Sequence, residues 1–370
     1  MKRSGAINNM ADRVSKRQAN FELLRIVAMM MIIVLHYLNK ANLTTEFAKD
    51  PSAVNYAALL IDAFCAVAVN CYVLLSGYFL VESAWKPERI ASLVAQVLFY
   101  SILIPIPLAL THFGGLSFGG LSIYDWLIYV LPIETEHYWF ATAYLLMYAF
   151  APLLAAGVRA VEKRTLQIVI VVLVFYFCVW KSIIPVVFAT DRYGYEFGWF
   201  LCLFLIAAYI RLYGLPILDN KKNAAIFYVS MGLGIFLLCV VSGRLAQTIK
   251  AFANYMMAPT NYNHILCLFA SVGLFMLFKI MKPWEGRAAE IIRWLAPYTF
   301  GVYLLHEHIL VRYEWIQWVD VKSVQGSFLF IPHMIGCVLL VYAAGTAVDC
   351  VRAWIFRVVV DCVRKKARDK

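Results

Sequence analysis

The stretch "ANFELLRIVAMMMIIVLHYL" (residues 19–38) is an apolar run of membrane-spanning length that nevertheless carries three ionisable side chains. About 20 apolar residues in a helix are enough to cross the hydrocarbon core of a bilayer. Glu22, Arg25 and His36 are costly in such a helix, because hydrocarbon does not solvate charge. The stretch therefore predicts a membrane helix whose buried charges serve a site.

The composition of the whole chain supports a polytopic membrane protein. Of its 370 residues, 63% are hydrophobic and 15% are charged, whereas soluble domains have about half and a quarter. We expect an all-α bundle of about ten transmembrane helices, formed by residues 19–349 and flanked by basic cytoplasmic tails at 1–18 and 350–370. The predicted spans are 19–38, 54–81, 90–110, 138–157, 165–188, 197–213, 224–242, 263–281, 297–312 and 328–349.

The distribution of basic residues predicts the orientation of the chain. The net charge is +11, and in the ten-span arrangement 24 Lys and Arg lie on one side and 8 on the other. Such a bias places the basic side, with both termini, in the cytoplasm. Basic residues that cluster between apolar runs indicate anionic lipid rather than nucleic acid as the partner. The expected location is the plasma membrane, most naturally that of a bacterium.

Metal binding is not expected from the cysteine and histidine spacing. None of the nine cysteines forms a C-x-x-C pair, which argues against both disulfides and zinc. The "HEH" at 306–308 lacks the H-E-x-x-H spacing of a helical zinc site, and His308 is expected to be peripheral.

The spacing of the charges in the first span points to a shared polar stripe. Arg25 and His36 are 11 residues apart, which is three helical turns plus about 20° and about 16 Å along the axis. Glu22 precedes Arg25 by three residues and can pair with it on the same face. Two interpretations remain: a functional site, or an ion pair whose long side chains reach for the membrane surface.

Four further stretches follow in order along the chain: "NCYVLLSGYFL" (70–80), "KPER" (86–89), "HYWFATAYLLMYAFAP" (137–152) and "YTFGVYLLHEHIL" (298–310). Together with Arg25-x10-His36 they resemble the motifs of the integral-membrane acyltransferase family 3. The resemblance implies transfer of an acyl group, often acetyl from acetyl-CoA, onto hydroxyls of surface polysaccharides and related acceptors. One departure is Lys86, which stands where the family has the first arginine of an R-x-x-R element. Lysine lacks the guanidinium fork that grips phosphate oxygens.

The resemblance assigns candidate roles to particular residues. Arg25, Lys86 and Arg89 are expected to bind the anionic nucleotide end of acetyl-CoA near the cytoplasmic mouth. His36 is the candidate catalytic group, as general base or as a transient acyl carrier, and Arg25, three turns away on the same helix face, is the second catalytic candidate. The expected supporting residues are Glu22, Ser76, Tyr303 and His306.

Other interpretations of the polar residues stay open. A transporter or flippase of lipid-linked saccharide could use the buried charges as an ion relay, although such proteins usually show internal repeats, which are not evident in this sequence. Asp62 and Asn70 are expected to line the same cavity as His36. Ser76 and Gly77 are suited to a close helix crossing, and Trp139 and Phe140 to an aromatic belt or, less favoured, an acceptor platform.

Overall fold

The computed structural model describes residues 17–45, 47, 51–112, 116–184, 192–253 and 255–366, which contain helices and no strand. Most of the predicted N-terminal tail lies outside these residues. The helices are α1 (Ala19–Lys40), α2 (Ala53–Cys65), α3 (Ala68–Leu80), α4 (Glu88–Leu103), α5 (Pro105–Leu110), α6 (Ile123–Val130), α7 (Trp139–Ala160), α8 (Lys163–Val174), α9 (Trp180–Ile183), α10 (Phe197–Tyr213), α11 (Lys221–Leu245), α12 (Ile265–Ile280), α13 (Gly286–Leu295), α14 (Thr299–His306), α15 (Glu314–Trp318) and α16 (Phe330–Lys366).

The prediction of an all-α polytopic membrane protein is confirmed, with a difference in the lengths of two spans. Eight segments of the described chain are long and apolar enough to cross a membrane, whereas ten crossings were expected. The sixth predicted span is the 17-residue helix α10, about 26 Å long. The ninth contains only the eight-residue helix α14, which is about 12 Å long and too short to cross. The placement of the termini stays a prediction.

The second span is broken, as its polar residues suggested. Helix α2 begins with a capping box, in which the Ser52 side chain and Asn55 bond each other's backbone N–H groups. It ends at Cys65, and α3 starts at Ala68 after a two-residue break. Within α3, a Cβ added at Gly77 would lie 2.9 Å from the Cα of Phe204. Glycine is therefore needed at this position for the close crossing of α3 and α10.

Helix α1 lies at the centre of the bundle. It contacts six helices, namely α2, α3, α12, α13, α14 and α16. Asn20 in its first turn is buried and donates a hydrogen bond from Nδ2 to the carbonyl of Phe278, 2.9 Å away. The first turn of α1 is therefore fixed against α12.

The last part of the chain contains one short helix, α14, and one long helix, α16. A 3₁₀ turn at Ala296–Tyr298 precedes α14, and turns follow it. Non-helical backbone at membrane depth is tolerated where protein buries it. Helix α16 has 37 residues and is about 56 Å long, so it continues without interruption from the predicted tenth span into the predicted C-terminal tail.

Candidate active site

One interior cavity of about 220 Å³ runs along the polar stripe of α1. Arg25, Met29, Ile32 and His36 line it, at positions i, i+4, i+7 and i+11 of a single helix face. The two candidate catalytic residues thus lie on one wall of one cavity. Arg25 is about one-third exposed and His36 about one-fifth, so both side chains are accessible from inside the bundle.

The opposite wall of this cavity carries two of the expected supporting residues. Ser76 of α3 and Tyr303 of α14 both line it. The Ser76 hydroxyl donates to the carbonyl of Tyr72, 3.0 Å away, and lies 3.3 Å from the hydroxyl of Tyr144. Ser76 has no histidine as hydrogen-bond partner among the described residues, so its position suits wall polarity and helix packing rather than nucleophilic attack.

Arg25 is paired loosely at the far end of the cavity from His36. Its Nε lies 3.9 Å from Oε2 of Glu22, and Arg17 approaches the same oxygen at 4.0 Å. Neither Arg25 Nε nor Glu22 Oε2 has a hydrogen-bond partner among the described residues, although both atoms are buried. The guanidinium therefore keeps donor capacity for an anionic ligand.

His36 is held by two partners, His306 at the end of α14 and Glu307 immediately after it. Its Nδ1 lies 3.0 Å from Nε2 of His306 and 3.1 Å from Oε1 of Glu307. Nδ1 of His306 lies 2.6 Å from the carbonyl of Val302. Since a carbonyl only accepts, His306 carries its proton on Nδ1, and its Nε2 is an acceptor.

These contacts determine the tautomer of His36. Its Nδ1 faces an unprotonated ring nitrogen and a carboxylate, both acceptors, so we infer that the proton of neutral His36 resides on Nδ1. Nε2 of His36 is then the basic nitrogen, and it has no hydrogen-bond partner among the described residues. A histidine held in this way is prepared to take a proton at Nε2, as in hydrolytic triads.

Glu307 was not singled out from the sequence as a candidate, yet it joins His36 to a second cation. The Lys40 ammonium donates to Oε1 of Glu307 and lies 5.5 Å from the centroid of the Tyr313 ring. Lys40 ends the same helix that carries His36. Glu307 thus bridges two residues one helical turn apart, which fixes its carboxylate beside the imidazole.

The same cluster can be tested as a metal site. His36, His306 and Glu307 each offer one ligand atom, all within 4.8 Å of one another. A metal ion there would compete with the Lys40 ammonium for Oε1 of Glu307, and the proximity of two cations is unfavourable. The contacts of His36 with His306 and Glu307 are accounted for by a hydrogen bond and an ion pair, and the expectation of no metal stays a prediction.

Lys86 and Arg89 lie outside this cavity. Both are exposed, and Lys86 is anchored through its backbone, whose carbonyl accepts from the Tyr148 hydroxyl at 3.1 Å. Arg89 precedes Leu93 and Gln96, which do line the cavity, by one and two turns on the same face of α4. The structure therefore places Arg89 at the rim and does not bring it together with Arg25.

Asp62 and Asn70, expected to share the cavity of His36, separate in the structure. Asp62 lies on a second cavity that His36 also lines. Asn70 instead joins helices, because its Nδ2 donates to the Tyr262 carbonyl at 2.8 Å and to the Ser271 hydroxyl at 3.1 Å. Asn70 is therefore a packing residue.

The fold and the site together define an all-α membrane protein with a partly buried histidine and arginine and a buried carboxylate around an interior cavity. The acyltransferase family 3 model, described as an acyltransferase domain, matches residues 18–349. The chain belongs to this family and is an acyltransferase. Searches of curated proteins and of solved structures find no significant match to it.

Proposed function

We propose that the protein transfers an acetyl group from acetyl-CoA to a hydroxyl of an extracytoplasmic polysaccharide or related acceptor, at the plasma membrane. The observation that carries the proposal is His36, whose Nδ1 is bound by Glu307 and His306 while Nε2 is left free beside a cavity that also contains Arg25. The family supports acyl transfer. Acetyl-CoA and a polysaccharide acceptor are what the sequence resemblance implies, and the cavity and the predicted topology support that choice.

In the proposed reaction, His36 acts as general base. Its Nε2 removes the proton from the acceptor hydroxyl as that oxygen attacks the thioester carbonyl carbon. A carbon–oxygen bond forms, the carbon–sulfur bond breaks, and the proton passes from Nε2 to the departing CoA thiolate. The products are an acyl ester and CoA, with His36 returned to its starting tautomer.

Glu307 stabilises the transient charge on His36. When Nε2 takes its proton the imidazole becomes a cation, and the carboxylate 3.1 Å from Nδ1 favours that cation. This arrangement favours the general-base route over a transient acyl-imidazole. In the acyl-carrier route Nε2 would attack the thioester itself and give a labelled protein.

Arg25 is the residue proposed to bind the acyl donor. Its unsatisfied guanidinium lies about 16 Å along α1 from His36, at the end predicted to face the cytoplasm. The anionic part of acetyl-CoA would lie against Arg25, with the rim residue Arg89 outside it. The pantetheine arm would then follow the cavity wall towards His36.

The test uses purified protein in liposomes, with acetyl-CoA and an extract of the envelope polysaccharide of its host as acceptor. Release of free CoA and formation of alkali-labile acetyl ester are measured. His36→Ala should lower the rate by about 10²–10⁴-fold, whereas His112→Asn, at an exposed histidine outside the cavity, should not. A single-turnover experiment with labelled acetyl-CoA should leave no label on the protein.

A binding measurement on the same preparations tests the donor site. Acetyl-CoA should raise the melting temperature of the wild type, and Arg25→Ala should remove most of that rise, with a smaller loss in Arg89→Ala. The proposal is wrong if acetyl-CoA neither stabilises nor is consumed while labelled saccharide crosses the bilayer, which is the transport alternative.

A further inference from the structure

A second cavity, of about 260 Å³, lies on the other side of His36. His36 and Tyr262 line both cavities, so these two side chains form the partition between them. The remaining wall is built from the end of α1, from α2 and from segments that follow α9 and α11, and it consists of Leu35, Asn39, Asp62, Ala66, Tyr195, Thr260 and Asn261. In the predicted topology this is the extracytoplasmic side of the catalytic histidine.

The chemical content of this second cavity differs from that of the first. The Arg25 cavity contains a cation and a long apolar wall, whereas this one contains a carboxylate, two amides and three hydroxyls. The second cavity has no Lys or Arg among its lining residues. It is therefore unsuited to the anionic nucleotide of CoA, and suited to a neutral ligand rich in hydroxyls.

Asp62 is the residue that points to a ligand. Its side chain is buried, with 1% of the residue exposed, and Nδ2 of Asn39 donates to Oδ1 at 3.2 Å. Asn39 is itself fixed, because the Thr44 hydroxyl donates to its Oδ1 at 2.8 Å. No other described residue donates to Asp62, so its Oδ2 remains without a protein donor on the cavity wall.

A buried carboxylate oxygen without a donor is energetically expensive. A ligand hydroxyl that donates to it removes this penalty and forms a charge-assisted hydrogen bond. The ligand must be small, neutral and able to donate, because the cavity holds a few hundred Å³ and has no Lys or Arg among its lining residues. One sugar ring satisfies all three conditions.

The aromatic residues of this cavity support a ring-shaped ligand. Tyr195 and Tyr262 lie with ring centroids 5.1 Å apart, and the ring of Trp139, which lines the first cavity, lies 4.2 Å from that of Tyr195. Flat aromatic faces with a polar rim bind amphipathic rings, with the apolar face packed and the hydroxyls paired at the edge. Amides at Asn39 and Asn261 can then serve as both donors and acceptors at that edge.

We infer that the second cavity is the acceptor subsite and that Asp62 accepts a hydrogen bond from a sugar hydroxyl next to the one that is acylated. This inference rests on the proposed function and adds to it the position of the acceptor site and a residue, Asp62, that selects the acceptor. His36 then receives the thioester from one cavity and the acceptor hydroxyl from the other, and Tyr262 separates the two ligands until they meet at Nε2.

The experiment uses membranes that contain the full-length protein and the endogenous acceptor of the host. [14C]acetyl-CoA is added, alkali-labile label is counted, and the labelled product is hydrolysed enzymatically and separated into sugars and lipids. Asp62→Asn keeps the size of the side chain and removes the carboxylate charge. The matched control is Asp219→Asn, an exposed carboxylate paired with Lys279 far along the sequence.

We expect Asp62→Asn to lower transfer by about tenfold or more, while the stabilisation by acetyl-CoA stays as in the wild type and Asp219→Asn changes neither. The label should be found on an O-acetylated sugar. Asn261→Ala probes the same cavity from a loop, and we expect a loss of about threefold or more. If Asp62→Asn does not fold, the transfer activity of Asn261→Ala tests the acceptor-subsite inference in its place.

Three results would overturn the inference. Normal transfer in both Asp62→Asn and Asn261→Ala would show that the cavity does not bind the acceptor. Loss of acetyl-CoA stabilisation in a folded Asp62→Asn protein would place Asp62 on the donor side. Label found only on lipid or amine would exclude a saccharide. By contrast, wild-type membranes that transfer no label would contradict the proposed function itself.

Discussion

Two pairs of buried histidines lie close together in this protein and differ in what their ring nitrogens contact. The rings of His36 and His306 have centroids 5.2 Å apart, and those of His137 and His308 are 4.7 Å apart. In the first pair, Nε2 of His36 has no partner among the described residues. In the second pair, all four ring nitrogens have partners within hydrogen-bond distance.

The partners of the second pair belong mainly to the backbone. Nε2 of His137 accepts from the amide of Ile309 at 3.1 Å, and Nδ1 of His308 accepts from the amide of Leu310 at 3.2 Å. The remaining two nitrogens lie 3.4 Å from the hydroxyl and the carbonyl of Ser101. The second pair therefore satisfies amide groups that become free where α14 ends.

The difference shows that burial alone does not identify a catalytic histidine. His308 is more deeply buried than His36, but its ring is fully used in supporting the irregular backbone after His306. That support allows α14 to end at membrane depth, and the end of α14 is what presents His306 and Glu307 to His36. The contacts of His137 and His308 therefore help to position His306 beside His36.

Glu307→Gln tests the first pair through the carboxylate that lies beside His36. Removing the carboxylate charge takes away the stabilisation of protonated His36, so we expect kcat to fall about 10–100-fold while the KM for acetyl-CoA changes less than threefold. Steady-state CoA release measures both constants. Glu307→Asp should recover part of kcat, and Glu314→Gln, at an exposed carboxylate nearby, should match the wild type.

If Glu307→Gln instead lowered kcat, raised the KM for acetyl-CoA to a similar extent and lowered the melting temperature, this positioning role would be contradicted. In that case Glu307 would contribute to the fold through Lys40 rather than to the orientation of His36.

His308→Phe tests the second pair and should affect stability instead of catalysis. The phenyl ring fills similar space but leaves the amide of Leu310 and the carbonyl of Ser101 unpaired, at a cost of about 1–3 kcal/mol for each buried group. We expect a melting temperature lower by several degrees and a kcat of the folded fraction within about threefold of the wild type. Thermal unfolding in detergent and CoA release measure the two effects.

The matched variant is His36→Gln, for which the pattern should be reversed. Activity should be lost with a smaller fall in melting temperature than in His308→Phe, because the glutamine amide can still donate towards His306 and Glu307 and Nε2 of His36 has no hydrogen-bond partner among the described residues. If His308→Phe instead abolished transfer at full stability, the division between a catalytic and a structural pair would be wrong.

The sequence was sufficient to predict the helix that carries the site. The apolar run at 19–38 predicts α1, and the 11-residue spacing predicts that Arg25 and His36 face the same way. This works because helical periodicity is a local property. The class of fold and the family could be inferred for the same reason, from apolar runs and from motifs in order.

The partners of His36 could not be predicted in the same way. Glu307 lies 271 residues further along the chain than His36, and nothing local indicates that they touch. Hydropathy also overestimated the length of the ninth span. The apolar residues that flank Pro297 and the "HEH" stretch make the segment look like a long helix, although its α-helix has only eight residues. Asp62 and Asn70 were both expected to line the cavity of His36, because they lie in one predicted span. The helix breaks after Cys65, between the two residues, so helical periodicity does not relate their directions.

The smallest expected effect concerns the loop in front of His137. Arg192 donates to Glu136 from Nη1 and Nη2, at 3.0 and 2.5 Å, and these hydrogen bonds hold the pKa of Glu136 below its ordinary 4.5. A carboxyl with a lowered pKa stabilises the fold above about pH 4.5, and that contribution is lost as the pH falls through its folded-state pKa. Both side chains are largely exposed, so the pair is worth less than about 1 kcal/mol.

Glu136→Gln should therefore lower the melting temperature slightly at pH 7, and the difference from the wild type should vanish near pH 3 and in about 1 M salt. Burial lowers the pKa of the adjacent His137 to about 4, so its own protonation also destabilises the fold on acidification. Because His137 is present in both proteins, its effect cancels when the two melting curves are subtracted. A difference that grows on acidification would show that Glu136 acts through His137 and the second histidine pair rather than through Arg192.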